Sequence, residues 1–264
     1  MALFTDGPIS LDTDLVQYEN GILALAAEEQ IDLTGKMALA QTEIGTRLLA
    51  LLLRQETRSP FTNWIDPQDM LRREIGMGDV VATEPLKQWH VLKTLALVYR
   101  DAYNNQLNDR YQKKWQEYST LEQNAKEMIY LIGVGVVGYP LPVPGMPAVA
   151  EQPGTGPGPG GTFFFQTTWV NQIGQESVAG PLATAVTAPG VQITVAPTVA
   201  PKFATGWNVY AGSGPQVCTL QNAAALGLSQ GWTVPGSGLV NGRTPGNGQT
   251  PDYYVMNDRV LPRG

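Results

Sequence analysis

Cysteine and histidine are almost absent from this chain, which has one of each among its 264 residues. Cys218 alone cannot form an internal disulfide, and one Cys with one His cannot supply the clustered ligands of a zinc site. A Ser-His-Asp triad would have to recruit His90, which follows Trp89 in a segment with helical periodicity. We therefore interpret His90 as a packed or surface residue, and we predict that the protein is not an enzyme and has no metal and no cofactor.

Long apolar runs are also missing. The longest are residues 48–53 and, interrupted by glycines, residues 129–137. Both are well short of the roughly 20 apolar residues that a helix needs to cross a bilayer. The first ten residues lack the basic region that precedes the apolar core of a signal peptide. We expect synthesis in the cytoplasm and no membrane partner.

Charge is scarce in the second half of the chain. Residues 1–135 contain 13 of the 17 Lys and Arg residues and 19 of the 23 Asp and Glu residues, so the net charge of -6 belongs to this half. Tight nucleic-acid binding takes most of its affinity from Lys and Arg side chains that neutralise phosphates. The acidic balance therefore argues against a specific nucleic-acid-binding function.

The first half has the periodicity of helices. Apolar residues recur at three- and four-residue spacing over residues 37–53, and Asp66-Pro67 favours a short helix that ends near Ile75. Thr83-Glu84-Pro85 starts another helical stripe, and a further stripe runs from Tyr111 to Ile132. The last two stripes predict either a helical hairpin or one long bent helix.

The second half changes to short alternating runs. Pro and Gly make up 14 of the 24 residues from 138 to 161, which predicts a linker, with residues 146–150 as an alternative edge strand. The glycines of 154–161 have no following Lys-Ser or Lys-Thr, so they do not form a phosphate-binding loop. Alternation beyond Thr162 predicts an antiparallel sandwich.

These patterns predict a multidomain α+β protein in which an α-helical bundle precedes an all-β sandwich. The bundle would occupy residues 1–137 and the linker residues 138–161. The sandwich would follow over residues 162–240, and residues 241–264 would form an extended C-terminal tail, because they contain Gly and Pro throughout and little periodicity.

One aromatic stripe is a candidate interaction site. Its residues could stack on bases, but no cationic groove accompanies them, and their helical spacing favours packing between helices. We predict a helix–helix interface that contains Tyr99, Tyr103, Tyr111, Trp115 and Tyr118.

Two segments of the second half resemble known modules. Residues 162–177, TFFFQTTWVNQIGQES, and residues 206–212, GWNVYAG, are similar to strand and turn sequences of fibronectin type III or immunoglobulin-like modules in tailed-phage virion proteins. The order of the two segments differs from that of an ordinary fibronectin module. The resemblance implies a two-sheet antiparallel sandwich of the immunoglobulin type, with a permuted order of strands as one alternative.

The first half, with Trp-His and Tyr-Arg-Asp-Ala-Tyr in residues 86–103, resembles the helical head-to-tail adaptors that lie beneath the portal of tailed phages. Such adaptors form twelve-fold rings and often extend a C-terminal arm onto the portal. The resemblance implies that Tyr253, Tyr254 and Val255 dock on the portal protein.

The leading hypothesis is therefore a structural virion protein at the head–tail junction. It would form a homo-oligomeric ring of about twelve copies in the phage neck, bind the portal and tail or nozzle proteins, and let DNA pass an acidic lumen without specific binding. The alternative is a tail or fibre-attachment protein whose sandwich contacts the host surface or carbohydrate, with Trp232 or Tyr210 as a stacking platform.

Overall fold

The computed structural model describes residues 1–56, 75–153 and 160–256, without the side chains of residues 54–56. The helix predicted over residues 66–75 lies almost entirely outside this range. Two compact units are present. The helical unit contains Gly7–Gly138 and the chain from Pro251 onward, and the sandwich unit contains Met1–Asp6 and Tyr139–Thr250.

The helical unit has five α-helices within the described residues. They are α1 Asp12–Tyr18, α2 Ile22–Glu28, α3 Leu33–Glu56, α4 Glu84–Gln106 and α5 Asp109–Ile132, with a short 3₁₀ helix, Met77–Asp79, before α4. The last two form a hairpin, which was one of the two arrangements that the sequence allowed. Leu107 ends α4 in the left-handed region at φ 51°, and the Asn108 side chain caps α5 by accepting the Arg110 N–H at 2.9 Å.

Helix α4 is the centre of the helical unit, because α1, α3 and α5 all contact it. Its residues are buried around most of its circumference, as the wide apolar stripe of the sequence predicts. The core around it includes Leu15, Leu25, Met37, Leu92, Leu95, Val98 and Tyr118.

A small sheet completes the helical unit. Strand β1, Val134–Val136, pairs antiparallel with β9, Tyr253–Val255, so that Val134 lies opposite Val255. Val80, which follows the 3₁₀ helix, bridges to Val136 on the strand β1. Gly133 has φ 97°, and a Cβ atom there would lie 3.0 Å from the Val255 carbonyl oxygen, so this position favours glycine.

Within its described residues, the sandwich unit contains two antiparallel sheets. The strands are β2 Ala148–Pro153, β3 Gly161–Asn171, β4 Ala183–Thr187, β5 Val191–Ala196, β6 Ala204–Gly212, β7 Thr219–Leu220 and β8 Trp232–Thr233. One sheet has the strand order β2–β5–β8 and the other the order β4–β3–β6–β7.

Residues from both sheets form the core of the sandwich. Phe165 and Trp169 of β3 are buried, and Trp169 lies opposite Trp207 of β6. Ile193 and Val195 of β5 belong to the same apolar cluster and come from the other sheet. Phe163, Phe165 and Trp169, which the alternation places on one face of a strand, are thus buried together.

The unit boundaries differ from the predicted domain boundaries. Strand β2 lies inside the predicted linker and pairs with β5 over its whole length, which agrees with the alternative of an edge strand. Of the predicted tail, residues 241–250 belong to the sandwich unit and Tyr253–Val255 forms β9 in the helical unit. Met1–Asp6 also belongs to the sandwich unit, where Leu3 and Phe4 are buried.

The sandwich is thus inserted in the chain between the paired strands β1 and β9, whose ends are adjacent. Asp252 accepts the Gly138 N–H at 2.7 Å, and the Asp252 N–H donates to the Val136 carbonyl at 2.9 Å. We expect a variant without residues 1–6, with residues 139–251 replaced by a short Asn-Gly turn, to fold as an isolated helical unit. Far-UV circular dichroism should show a cooperative helical melt, and a non-cooperative melt would contradict the expectation.

Candidate assembly surfaces

The five aromatic residues of the predicted interface lie between α4 and α5 of the same copy. The Tyr99 and Tyr118 rings stack with centroids 5.5 Å apart, and the Tyr103 and Trp115 rings stack at 6.1 Å. Tyr111 is tilted against Tyr99 at 6.4 Å. Tyr99 and Tyr118 are buried and the other three are half-buried, so these rings chiefly hold the hairpin together.

A carboxylate ties this aromatic cluster to α1. Glu19, just after α1, accepts a hydrogen bond from the Tyr118 hydroxyl at 2.9 Å and forms an ion pair with Lys114 at 3.0 Å. Burial raises the pKa of Glu19, but the hydrogen bonds from Lys114 and Tyr118 outweigh it and hold this pKa below its ordinary value. The same arrangement raises the pKa of Tyr118, first through burial and then through Glu19.

His90 is fully buried, and both of its ring nitrogens are used. Its Nε2 lies 2.9 Å from the Met37 carbonyl, which can only accept, so Nε2 carries the proton and donates. Nδ1 then accepts from the Ser10 hydroxyl at 2.7 Å. Burial lowers the pKa of His90, which keeps the ring neutral. This geometry makes His90 a packing residue that joins Ser10, α3 and α4.

Among the described residues, no group of three or more His, Cys, Asp or Glu side chains could hold a metal ion. None of the described helices is long and apolar enough to cross a membrane.

Strand β9 contains the three residues predicted to dock on the portal. Val255 is completely buried in the helical unit, Tyr253 is half-buried, and Tyr254 is 45% exposed. The three residues are therefore placed by their pairing with β1 rather than on an extended arm. Of the three residues, Tyr254 is the most exposed to the solvent.

From Leu33 to Leu53, where its side chains are described, the outward side of α3 has no charged residue. We call this surface the α3 outer face. Its larger apolar residues Leu39, Leu49 and Leu53 are 39%, 41% and 51% exposed. From Thr34 to Leu53 every exposed residue of the helix is apolar, small or a threonine, and the exposed residues are Thr34, Gly35, Ala38, Leu39, Thr42, Thr46, Leu49, Ala50 and Leu53.

The two central threonines of this face add little polarity. The Thr42 hydroxyl donates to the Ala38 carbonyl at 2.9 Å, and the Thr46 hydroxyl donates to the Thr42 carbonyl at 3.0 Å. Because each hydroxyl is bound to its own helix, it needs no water as an acceptor. The α3 outer face can therefore be buried at little desolvation cost.

The charged residues of α3 from Leu33 to Leu53 all point to its flanks and have partners within the helical unit. Lys36 pairs with Asp101 of α4. Glu43 pairs with Lys93 at 2.7 Å, and Arg47 Nη1 lies 3.1 Å from Glu122 Oε1. The Trp89 indole N–H donates to the same Glu122 oxygen at 2.9 Å. Charge is thus used to hold α3 on α4 and α5 and is kept off the outer face.

A second exposed apolar surface runs along the C-terminal half of α5. We call it the α5 stripe, and it is formed by Leu121, Asn124, Met128, Leu131 and Ile132. The four apolar members are between 40% and 51% exposed. Glu127 lies beside the stripe and accepts a hydrogen bond from Gln123 at 2.9 Å.

Both surfaces escaped sequence reasoning. Leu49 and Leu53 widen the apolar pattern of α3, and Leu121, Met128 and Ile132 continue the pattern of α5, so all of them read as core positions. The available signal was the uncharged outward arc of α3, where Gly, Ala and Thr recur together with Leu39, Leu49 and Leu53.

The sandwich has a partly buried polar cluster around Glu176. Its Oε1 accepts from Thr168, from Asn208 at 2.8 Å and from the Tyr210 hydroxyl at 2.7 Å, and its Oε2 lies 2.5 Å from Arg243. Burial raises the pKa of this carboxyl, but the four hydrogen bonds outweigh it, so that the pKa lies below its usual value. The cluster fixes the chain around Arg243 to the β3–β6 pair.

The two proposed stacking platforms of the sandwich are not free rings. Tyr210 is completely buried. Trp232 is partly buried and packs edge-on against Phe165, with centroids 6.4 Å apart. The buried Tyr210 presents no open aromatic face of the kind that stacks on a sugar ring.

No protein-family model, no curated protein and no solved structure matches this chain.

Proposed function

We propose that the protein is a structural virion component that forms a ring in the neck of a tailed phage and connects the portal of the head to the tail. The observation that supports this proposal is the uncharged α3 outer face. An exposed, uncharged helix face about 21 Å long, from Leu39 to Leu53, is typical of a helix–helix interface between molecules. Assembly, with no chemical reaction, is the function that such a face serves.

The exposed apolar area of the two surfaces favours assembly. Fully burying a leucine contributes about 1.5 to 3 kcal/mol, so covering the exposed part of Leu39, Leu49 and Leu53 contributes roughly 1 kcal/mol each. The α5 stripe offers a comparable amount. Because the charged side chains beside α3 already have partners, burying the face leaves no isolated charge.

The helical unit has two different apolar surfaces, which favours a ring. A two-fold dimer needs one self-complementary patch, whereas a closed ring needs two distinct patches, one for each neighbour. The α3 outer face and the α5 stripe meet this requirement. We propose about twelve copies per ring, the number that the resemblance to head-to-tail adaptors implies.

The remaining parts would make the contacts of the neck. We propose that the sandwich is of the immunoglobulin type and contacts tail or nozzle proteins, and that the exposed Tyr254 contributes to portal docking. The acidic first half would line a lumen that repels DNA as it passes. The protein would then lie at the head–tail junction of the virion.

The test is the native mass of the purified protein and of one charge variant. The wild type is expected to form rings of about twelve copies in negative-stain images and in light scattering. Leu49→Glu places a carboxylate on the α3 outer face and should yield monomers that keep the far-UV circular dichroism spectrum of the wild type. Gln116→Glu, which adds the same charge to another exposed helix position, should still form rings.

Two results would contradict the proposed function. One is a wild-type protein that stays monomeric at its highest soluble concentration. The other is a trimer that binds glycans, which would favour the tail or fibre-attachment alternative.

A further inference from the structure

We infer that the α5 stripe of one copy packs on the α3 outer face of the next copy, so that neighbours contact through two different helices. This inference rests on the proposed ring and names its interface. The partner is a second copy of this chain, because one helical unit contains both surfaces.

The profile of the α3 outer face suits a packed helix. Its large residues Leu39 and Leu49 are about 15 Å apart along the axis, and Thr42 and Thr46 between them are smaller. Small residues at three- and four-residue spacing let a second helix approach closely. Met128, at the middle of the α5 stripe, has a flexible side chain that fills irregular depressions.

The lengths of the two surfaces also agree. The α5 stripe spans about 16 Å from Leu121 to Ile132, and the α3 outer face spans about 21 Å from Leu39 to Leu53. The shorter surface can therefore be covered completely by the longer one.

Neither the α3 outer face nor the α5 stripe contains a charged residue, so charge does not oppose their packing. Glu127 lies beside the stripe and is held by Gln123, while Glu43 lies beside the α3 face and is held by Lys93. Face-to-face packing then desolvates no charge that lacks a partner, which is the main cost of burying polar surfaces.

A copy cannot cover its own surfaces in this way. Leu121 precedes Glu122, which faces Arg47 and Trp89 of the same copy, so the stripe points about 100° away from that contact. On α3, Thr46 lies about 180° around the helix from the buried Met37. The α3 outer face and the α5 stripe are therefore available to different neighbours.

Cysteine cross-linking in the full chain tests this pairing. In a Cys218→Ser background, the double variant Thr46→Cys/Asn124→Cys should give a ladder of disulfide-linked oligomers on a non-reducing gel, and reductant should collapse it. Each single variant should remain a monomer on the gel. It has one cysteine per copy, and this cysteine does not contact the same cysteine of the neighbouring copy. A second pair, Leu39→Cys/Met128→Cys, tests the same contact at other positions, in case the first two cysteines are too far apart to form a disulfide.

A matched control uses the neighbouring residue. Gln123 is exposed and points about 100° away from Asn124, so Thr46→Cys/Gln123→Cys should give no ladder. Dimers from Thr46→Cys alone would show that α3 pairs with α3, which would overturn the inference. Wild-type rings without a ladder from either pair would overturn the inference and leave the proposed function intact, and a monomeric wild type would overturn both.

Discussion

Replacing Val255 with Asp is expected to unfold the helical unit at temperatures where the wild type is stable. Val255 is completely buried on β9 and lies opposite the buried Val134 of β1. A carboxylate there has no described partner and would lose its water, which costs at least about 3 kcal/mol. Hydrogen exchange should show lost protection in β1 and in the end of α5, which leads directly into β1.

The adjacent residue supplies the control. Tyr254 is 45% exposed, so Tyr254→Asp places the same charge on the same strand at the cost of little burial. We expect this variant to keep the melting temperature within a few degrees of the wild type. Equal stability of the two variants would show that β9 does not contribute to the helical unit, as an extended tail would not.

The C-terminal strand shows where sequence reasoning reached its limit. Three residues in a Gly- and Pro-rich segment give too short a pattern to predict a strand, and the partner β1 lies more than one hundred residues earlier in the chain. Pairing over such a distance depends on the completed fold and leaves no local signal. Strands β3 and β6 were predictable because each spans nine or more residues.

Composition misplaced the linker for a related reason. Pro and Gly punctuate strands as well as linkers, and proline is tolerated at the edge of a sheet. Strand β2 is the edge strand of its sheet, and its last residue is Pro153, which lies opposite Val191 of β5. Its residues are mostly exposed, so they lack the alternation that identified the other strands.

The helical half was predictable in outline, but its candidate interface was not. Periodicity marks the residues that avoid water and does not say whether they contact the same chain or another copy. The aromatic cluster of Tyr99 and Tyr118 proved to be packed between α4 and α5, whereas Leu49 and Leu53 proved to be exposed. The absence of charged residues on the exposed side of the helix is the signal that distinguishes Leu49 and Leu53 from residues of the core.

Glu176→Ala is expected to destabilise the sandwich by about 3 kcal/mol, because it leaves Tyr210, Asn208 and Thr168 without their shared acceptor. Tyr210 is completely buried and cannot turn to water. For a unit of this size, such a loss lowers the melting temperature by roughly 10 to 20 °C. Hydrogen exchange in β3 and β6 should report the change, and Glu151→Ala on the exposed strand β2 is the control.

The pH dependence of this difference separates the carboxylate from simple loss of packing. The pKa of Glu176 is lowered in the folded protein, so its contribution is present above the unfolded-state pKa of about 4.3 and is lost as the pH falls through the folded-state pKa. The gap in stability between the wild type and Glu176→Ala should therefore narrow in acid. A gap that stayed constant from neutral to acidic pH would mean that the hydrogen-bonded, ionised carboxylate is not what stabilises the β3–β6 pair.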